Sequence, residues 1–201
     1  MYLSDIITHM RDFERNDQIP TLVSVLATIG NMPSDTPKAS VVEAISTAID
    51  DGGYSVVELN HEKPWGAYFR IDSSQAKQFI QGFFPGLSVE DARLGIDGAE
   101  LSPKILLVSP AQRLSWQYHD RRAERWHFLN AGQYNKSTTD DEGEVYEAAV
   151  GTVVQFARGE RHRLVAKQEG FTVVAEIWQH TDPSRPSDED DIVRLADDYS
   201  R

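Results

Sequence analysis

Up to Asp51 the apolar positions recur at helical spacing, and from Tyr54 onward they gather into short β-rich runs. The first regime predicts three helices. Ser4 caps one that carries Ile6, Met10 and Phe13. Pro20 opens a second with Leu22, Val25, Leu26 and Ile29 on one face. Ser40 and Glu43 form a capping box for a third, with Val42, Ile45 and Ile49 inward and Gly52-Gly53 as its stop. The second regime predicts strands at 54–59, 65–71, 104–109, 113–119, 124–129, 150–156 and 171–178, a density that suits a sandwich or barrel rather than βαβ units. An interruption at 74–98, with a capping box at Ser88 and Asp91, predicts one or two short helices at the barrel rim. Near the end, Ser187 precedes Asp188-Glu189-Asp190-Asp191 and then Ile192, Val193 and Leu195, which predicts a short C-terminal helix with acids in its first turn.

Composition narrows the chemistry. With 40% apolar and 26% charged residues the chain is an ordinary globule, and with no cysteine any metal must be held by nitrogen and oxygen donors. The start shows no basic leader followed by an apolar core, and no stretch approaches a membrane-spanning length, so cytoplasmic residence and no membrane partner are expected. A net charge of −12 argues against nucleic acid. The charge is uneven, because Arg113, Arg121, Arg122, Arg125, Arg158, Arg161 and Arg163 cluster around two stretches in the C-terminal half. A local basic site on an acidic chain suits a small anionic substrate.

Those two stretches also carry the candidate ligands. If 113–119 is a strand, Gln117 and His119 lie two apart and share a face. After a tight turn, Glu124-Arg125-Trp126-His127-Phe128 places its even positions inward, Glu124 among them. The run from Gly151 to Arg163 is a β-branched strand, a turn at Gly159 and a return strand that begins with His162. Two imidazoles, an amide and a carboxylate make a mixed site for a divalent ion, and an inward carboxylate would be costly without a cation to pair with. His9, His61, His127 and His180 have no such context. Trp65, Trp116, Trp126 and Trp178 suit either a sugar-pocket wall or a core, with core packing expected for Trp126.

The same residues resemble a family. Pro64-Trp65-Gly66-Ala67-Tyr68, the run from Pro110 through Gln117-Tyr118-His119 to Glu124-Arg125-Trp126, the Gly151 to Arg163 segment, and Glu189-Asp190-Asp191-Ile192-Val193-Arg194 through Asp198-Tyr199-Ser200-Arg201 resemble, in order, four landmarks of one family of cupins, and the middle two resemble the paired metal-holding motifs of cupins at large. More narrowly, they are similar to the C-terminal isomerase domain of type II mannose-6-phosphate isomerases. The resemblance covers about residues 63–201 and does not reach 1–60. Arg121 and Arg125 stand where that family has histidines, Ala157 where it has proline and Ser200 where it has glycine. The two arginines make the site more cationic.

The resemblance implies a mainly β cupin barrel (double-stranded β-helix, or jelly roll) over 61–201, with 1–60 as an N-terminal helical extension that packs on the barrel or serves a dimer contact. It implies a divalent metal, zinc being expected, on Gln117, His119, Glu124 and His162. The implied activity is aldose–ketose isomerisation of a sugar phosphate. Arg122 then handles substrate charge, and Glu176 is the candidate base with Lys104 behind it. Two other readings stay open: a cupin that binds a sugar or sugar nucleotide without turnover, and, fitting less well, an iron cupin oxygenase.

Overall fold

Residues 153–156 and 172–180 are rich in β-branched side chains, and in the computed structural model, which describes residues 21–199, both lie in one six-stranded antiparallel sheet. The expected helix at Ser4, with Ile6, Met10 and Phe13, lies outside the described residues, as does Pro20. Thr21 instead caps α1 (Leu22–Ala27) through its side chain, which accepts from the Ser24 backbone N–H. The next helix, α2 (Lys38–Asp51), starts earlier than the Ser40–Glu43 box suggested. The Pro37 carbonyl already accepts the Ser40 N–H, so Ser40 sits in the first turn rather than at the cap. Its face of Val42, Ile45 and Ile49 is buried, and Gly52 ends it.

There follow β1 (Val56–Asn60), β2 (Gly66–Ile71), α3 (Ala76–Phe83), α4 (Val89–Ala92), β3 (Leu101–Val108), β4 (Trp116–Tyr118), β5 (Arg122–Phe128), β6 (Gly132–Ser137), β7 (Val145–Ala148), β8 (Val153–Phe156), β9 (Arg161–Val165), β10 (Thr172–His180) and β11 (Val193–Ala196). One sheet has the order β1-β2-β3-β10-β5-β8 and the other β11-β4-β9-β6-β7. Within these, β3-β10-β5-β8 and β4-β9-β6-β7 are the two four-stranded halves of a jelly roll. The fold is therefore mainly β, with two antiparallel sheets and few helices. Gly66 lets β2 lie tight on β3, because a Cβ there would stand 1.9 Å from the Leu107 carbonyl oxygen.

All nine residues of β10 are buried. Val173, Ala175 and Ile177 face a layer built from α1, α2 and α3, with Ile45, Ile49, Phe79 and Phe83 in the same cluster. Val174 faces the other way, into a second core of Trp126, Phe128, Phe156 and Leu164 between the sheets. Each large side chain so buried contributes roughly 1.5–3 kcal/mol. This packing corrects the expected place of the inserted helices: they coat the outer face of the six-stranded sheet instead of fringing the barrel rim.

The expected C-terminal helix is also absent. The acids are drawn off to other elements, Asp188 to Arg121 and Glu189 to Lys104, while the Asp191 carboxylate accepts the backbone N–H groups of Asp120 and Arg121. Residues 193–196 then pair with β4 as an edge strand, so tertiary pairing overrides helix propensity. Strands β6 and β7 escaped the hydrophobic pattern because Gln133, Asn135 and Lys136 interrupt one, and the other is exposed along most of its length.

Candidate metal centre

Two neighbouring strands of one sheet, β4 and β9, and one strand of the other, β5, bring the donors together. Gln117 on β4 lies opposite His162 on β9, and the Gly159 turn (φ +77°) ties back to the first stretch through its N–H on the His119 carbonyl, 2.9 Å. His119 follows β4 directly. The turn at Asp120 and Arg121, fixed by the Asp191 carboxylate, reverses the chain so that Arg122, Glu124 and Trp126 of β5 point between the sheets.

In that space His119 Nε2 lies 3.1 Å from Glu124 Oε1, and His162 Nε2 lies 3.2 Å from Glu124 Oε2. One ligand atom of each of these residues lies within 4.8 Å of the others, and all three residues are buried. The Gln117 amide completes the group, its Nε2 3.4 Å from His119 Nε2 and its Oε1 accepting from Ser115 Oγ at 2.6 Å. A half-turn of the amide presents oxygen to the cluster and leaves nitrogen to donate to Ser115.

The donor chemistry fits a cation. Both imidazoles commit Nδ1–H to a backbone carbonyl, His119 to Asp191 at 2.6 Å and His162 to Glu160 at 2.9 Å. Each Nε2 therefore keeps its lone pair and turns it inward, the tautomer that metal-binding histidines adopt. Buried His162 Nε2 makes no hydrogen bond despite its closeness to Glu124, because both atoms bear lone pairs. Burial lowers the pKa of His119, which favours the neutral ring whose Nε2 faces Glu124 Oε1. Burial alone would push the Glu124 carboxyl up, but its surroundings, with the Arg122 guanidinium 2.8 Å away, hold the group well below the usual carboxylate range. A nitrogen- and oxygen-rich set of this kind suits zinc and several other divalent ions.

The cluster opens on a polar cleft of about 330 Å³ that also holds the other sequence candidates. Arg122 donates through Nε to Glu124 Oε1 at 2.8 Å and through Nη1 to Ser187 Oγ at 2.8 Å, with its guanidinium 3.5 Å from the Trp178 ring centroid. Glu176 is clasped by two indoles, with Trp126 Nε1 donating to one oxygen at 2.9 Å and Trp178 Nε1 to the other at 3.0 Å. Trp126 thus packs in the core and also holds a cleft carboxyl. Lys104, directly opposite Glu176 in the β3–β10 register, donates to Glu189. Burial and the nearby Glu124 charge push the Glu176 carboxyl up to about 8, whereas burial lowers the pKa of Lys104.

The expected cationic contribution of Arg121 and Arg125 is not found. Arg121 binds Asp188 and the Pro186 carbonyl, and Arg125, at an odd position of β5, reaches Gln155. Arg113, Arg161 and Arg163 are likewise paired, with Asp198, Asp140 and Glu142. The remaining described histidines lie elsewhere: His61 beside Glu62 at the surface, His127 against the Phe83 carbonyl, and His180 between Ser102 and the Ser187 N–H. Sequence reasoning missed Lys63, Tyr68, Glu189 and Arg194, which also line the cleft. The signal for Lys104 was present, a lone charge in the apolar run Leu101–Val108.

Opposed shifts give a pH signature. Burial depresses His180 to about 4, so the unfolded chain binds more protons between about 4 and 6.5 and stability rises with pH there. Glu176, raised to about 8, keeps a proton that the unfolded chain has lost above about 4.3, so its contribution falls as pH rises to 8. Chelator-treated wild-type protein should lose about 2 kcal/mol relative to Glu176→Gln between pH 6.5 and 8. Denaturant melts of both proteins across that range check this. A constant difference would show that Glu176 is ionised throughout.

No family model matches the chain, and no curated protein matches it. Among solved structures it is similar to the capsular polysaccharide assembling protein CapF of Staphylococcus aureus, with 14% identity over 79% of this chain and 37% of that one at a TM-score of 0.47. It is similar to oxalate decarboxylase of Bacillus subtilis, with 15% identity over 65% and 28% and a TM-score of 0.42. A Cupin 2 conserved barrel domain protein of Salinispora arenicola shares 18% identity over 39% and 61% at 0.34. The chain spans less than two thirds of each of these proteins. Such neighbours are cupin and double-stranded β-helix proteins, and at these scores they carry no argument about chemistry. Among the described residues no helix is long and apolar enough to cross a membrane.

Proposed function

We propose that the protein is a metal-dependent aldose–ketose isomerase acting on a sugar phosphate. The observation that carries this reading is a convergent His/Glu/His/Gln donor set whose Gln117 and Glu124 line the same cleft as a buried carboxyl with its proton poised near neutral pH. Three of the four stretches that resemble type II mannose-6-phosphate isomerases contribute residues to this cleft, among them Trp65, Gln117, Glu124 and Glu189.

Isomerisation moves a proton between adjacent carbons through an enediol. Glu176, once ionised, accepts the proton from the carbon beside the carbonyl and returns it to the neighbouring carbon while the hydroxyl proton passes from one substrate oxygen to the other, so the enzyme ends as it began. Its two indole partners hold both oxygens in place, which fixes the direction from which the proton is taken. Gln117, His119, Glu124 and His162 would hold the divalent metal, which when bound supplies a Lewis acid for the substrate oxygens. Arg122 orients Glu124 and presents a fixed positive charge to the cleft. Lys104 stands behind Glu176 and favours its charged form.

One contact favours a second reading. Arg122 also points Nη2 at His119 Nε2, 3.2 Å away, so the guanidinium partly neutralises the cluster by itself, as a metal-free sugar-binding module would require. His162 Nε2 stays unpartnered in that arrangement, which is why the metal reading is preferred. Elemental analysis of untagged protein, followed by turnover assays on hexose and heptose phosphates including mannose 6-phosphate, separates the two. Chelated protein should be inert and divalent metal should restore isomerisation. Fully loaded protein that isomerises nothing in the panel would overturn the proposal.

A further inference from the structure

Lys104 has the most deeply sunk ammonium in the cleft. Its side chain is 3% exposed, and the charge lies 3.6 Å from the Trp178 ring centroid and 4.6 Å from that of Tyr68. A buried cation needs an anion, and the one it holds is unusual in being loosely seated. Glu189 reaches it from the segment between β10 and β11, is 45% exposed, and among the described residues accepts no other hydrogen bond. Two more cations line the same cleft, Lys63, 5.8 Å from the other contact ring of Lys104, Tyr68, and Arg194 on β11. Neither is paired with a carboxylate among the described residues.

We propose that Lys104, Lys63 and Arg194 form the seat for the phosphate group of the substrate, and that Glu189 is a resident carboxylate which occupies this seat until phosphate displaces it. The identity of the sugar carrier rests on the isomerase reading; the anion seat itself does not. A carboxylate answers one of the three cations. A phosphate monoester brings about −1.5 to −2 charges and three acceptor oxygens, so it answers Lys104 and engages the two unpaired cations together. On release, the exposed Glu189 side chain returns to water. The seat and the donor cluster share one cleft, which leaves the sugar to span between them with its reactive carbons toward Glu176.

Isothermal titration of the protein as purified, with inorganic phosphate, glucitol 6-phosphate and glucitol as probes, tests this without requiring turnover. Phosphate and glucitol 6-phosphate should bind, and glucitol should not. Glu189→Gln should tighten phosphate binding about tenfold, the scale of one charge-assisted hydrogen bond, and Lys104→Met should weaken it by at least about as much. If Lys104→Met fails to fold, the double variant Lys63→Met with Arg194→Met, altered at the cleft mouth, should weaken binding in its place. Equal phosphate affinity in wild type and Glu189→Gln, or binding indifferent to the lysine and arginine changes, overturns the proposal. The expected affinity pattern in a protein that isomerises nothing would leave the anion seat standing and remove only the isomerase.

Discussion

Glu124→Gln should purify without metal and without isomerase activity. The substitution keeps the shape of the side chain but removes the charge that His119, His162 and Arg122 share. Loss of a direct ligand should lower metal affinity by more than the ~10–100-fold that follows loss of an outer partner. A second effect comes from Arg122, which is left buried without its closest carboxylate. Breaking a buried pair from one side costs about 3–5 kcal/mol. Arg122 keeps Ser187 and the Asp188 and Asp191 carbonyls, and Asp191 Oδ2 lies 3.8 Å away, so the lower end of that range is expected. At ~2–4 °C per kcal/mol for a chain of this size, Tm should fall by about 6–12 °C. Elemental analysis and thermal melts read both effects. A variant that retains stoichiometric metal would show that the four donors do not act as one centre.

Glu176→Gln should separate proton transfer from metal binding. Glu176 hydrogen-bonds to two tryptophans and to none of the four donors, so metal content should stay at the wild-type level. The variant loses the proposed base, and kcat should fall by about 10²–10⁴ with KM little changed. In the wild type the rate should climb with pH as the carboxyl loses its proton. A bound cation favours the carboxylate and moves this limb below the value of about 8 that holds without it. The limb should be missing from the residual activity of the variant. Wild-type kcat in Glu176→Gln would assign the base to another group, with Lys104 the next to test.

What was legible in the chain followed the strand period. Gln117 with His119, and Glu124 with Trp126, are separated by two, and alternation alone places each pair on one face. The same rule places Arg125 outward, yet the charge of the residue suggested otherwise; position on the strand decided, and Arg125 meets Gln155 on the far side. Lys104 and Glu176 could not be paired by reading along the chain, because their opposition comes from a strand register between distant segments. The acid run at 188–191 misled for a related reason. Acids followed by apolar residues look like a helix start, but each of Asp188, Glu189 and Asp191 has a partner far back in sequence. Local pattern reports which face a residue takes and is silent on which cation waits there.

Strand β10 has a practical consequence for anyone who alters this protein. One ribbon of backbone presents Val173, Ala175 and Ile177 to the helical coat and Glu176 and Trp178 to the cleft. Close-packed interiors pass small displacements on rather than absorb them. Substitutions chosen in the coat to raise heat resistance will therefore be felt by Glu176, the proposed base, on the reverse side. Directed evolution of this scaffold should find its remote rate-changing substitutions in that coat.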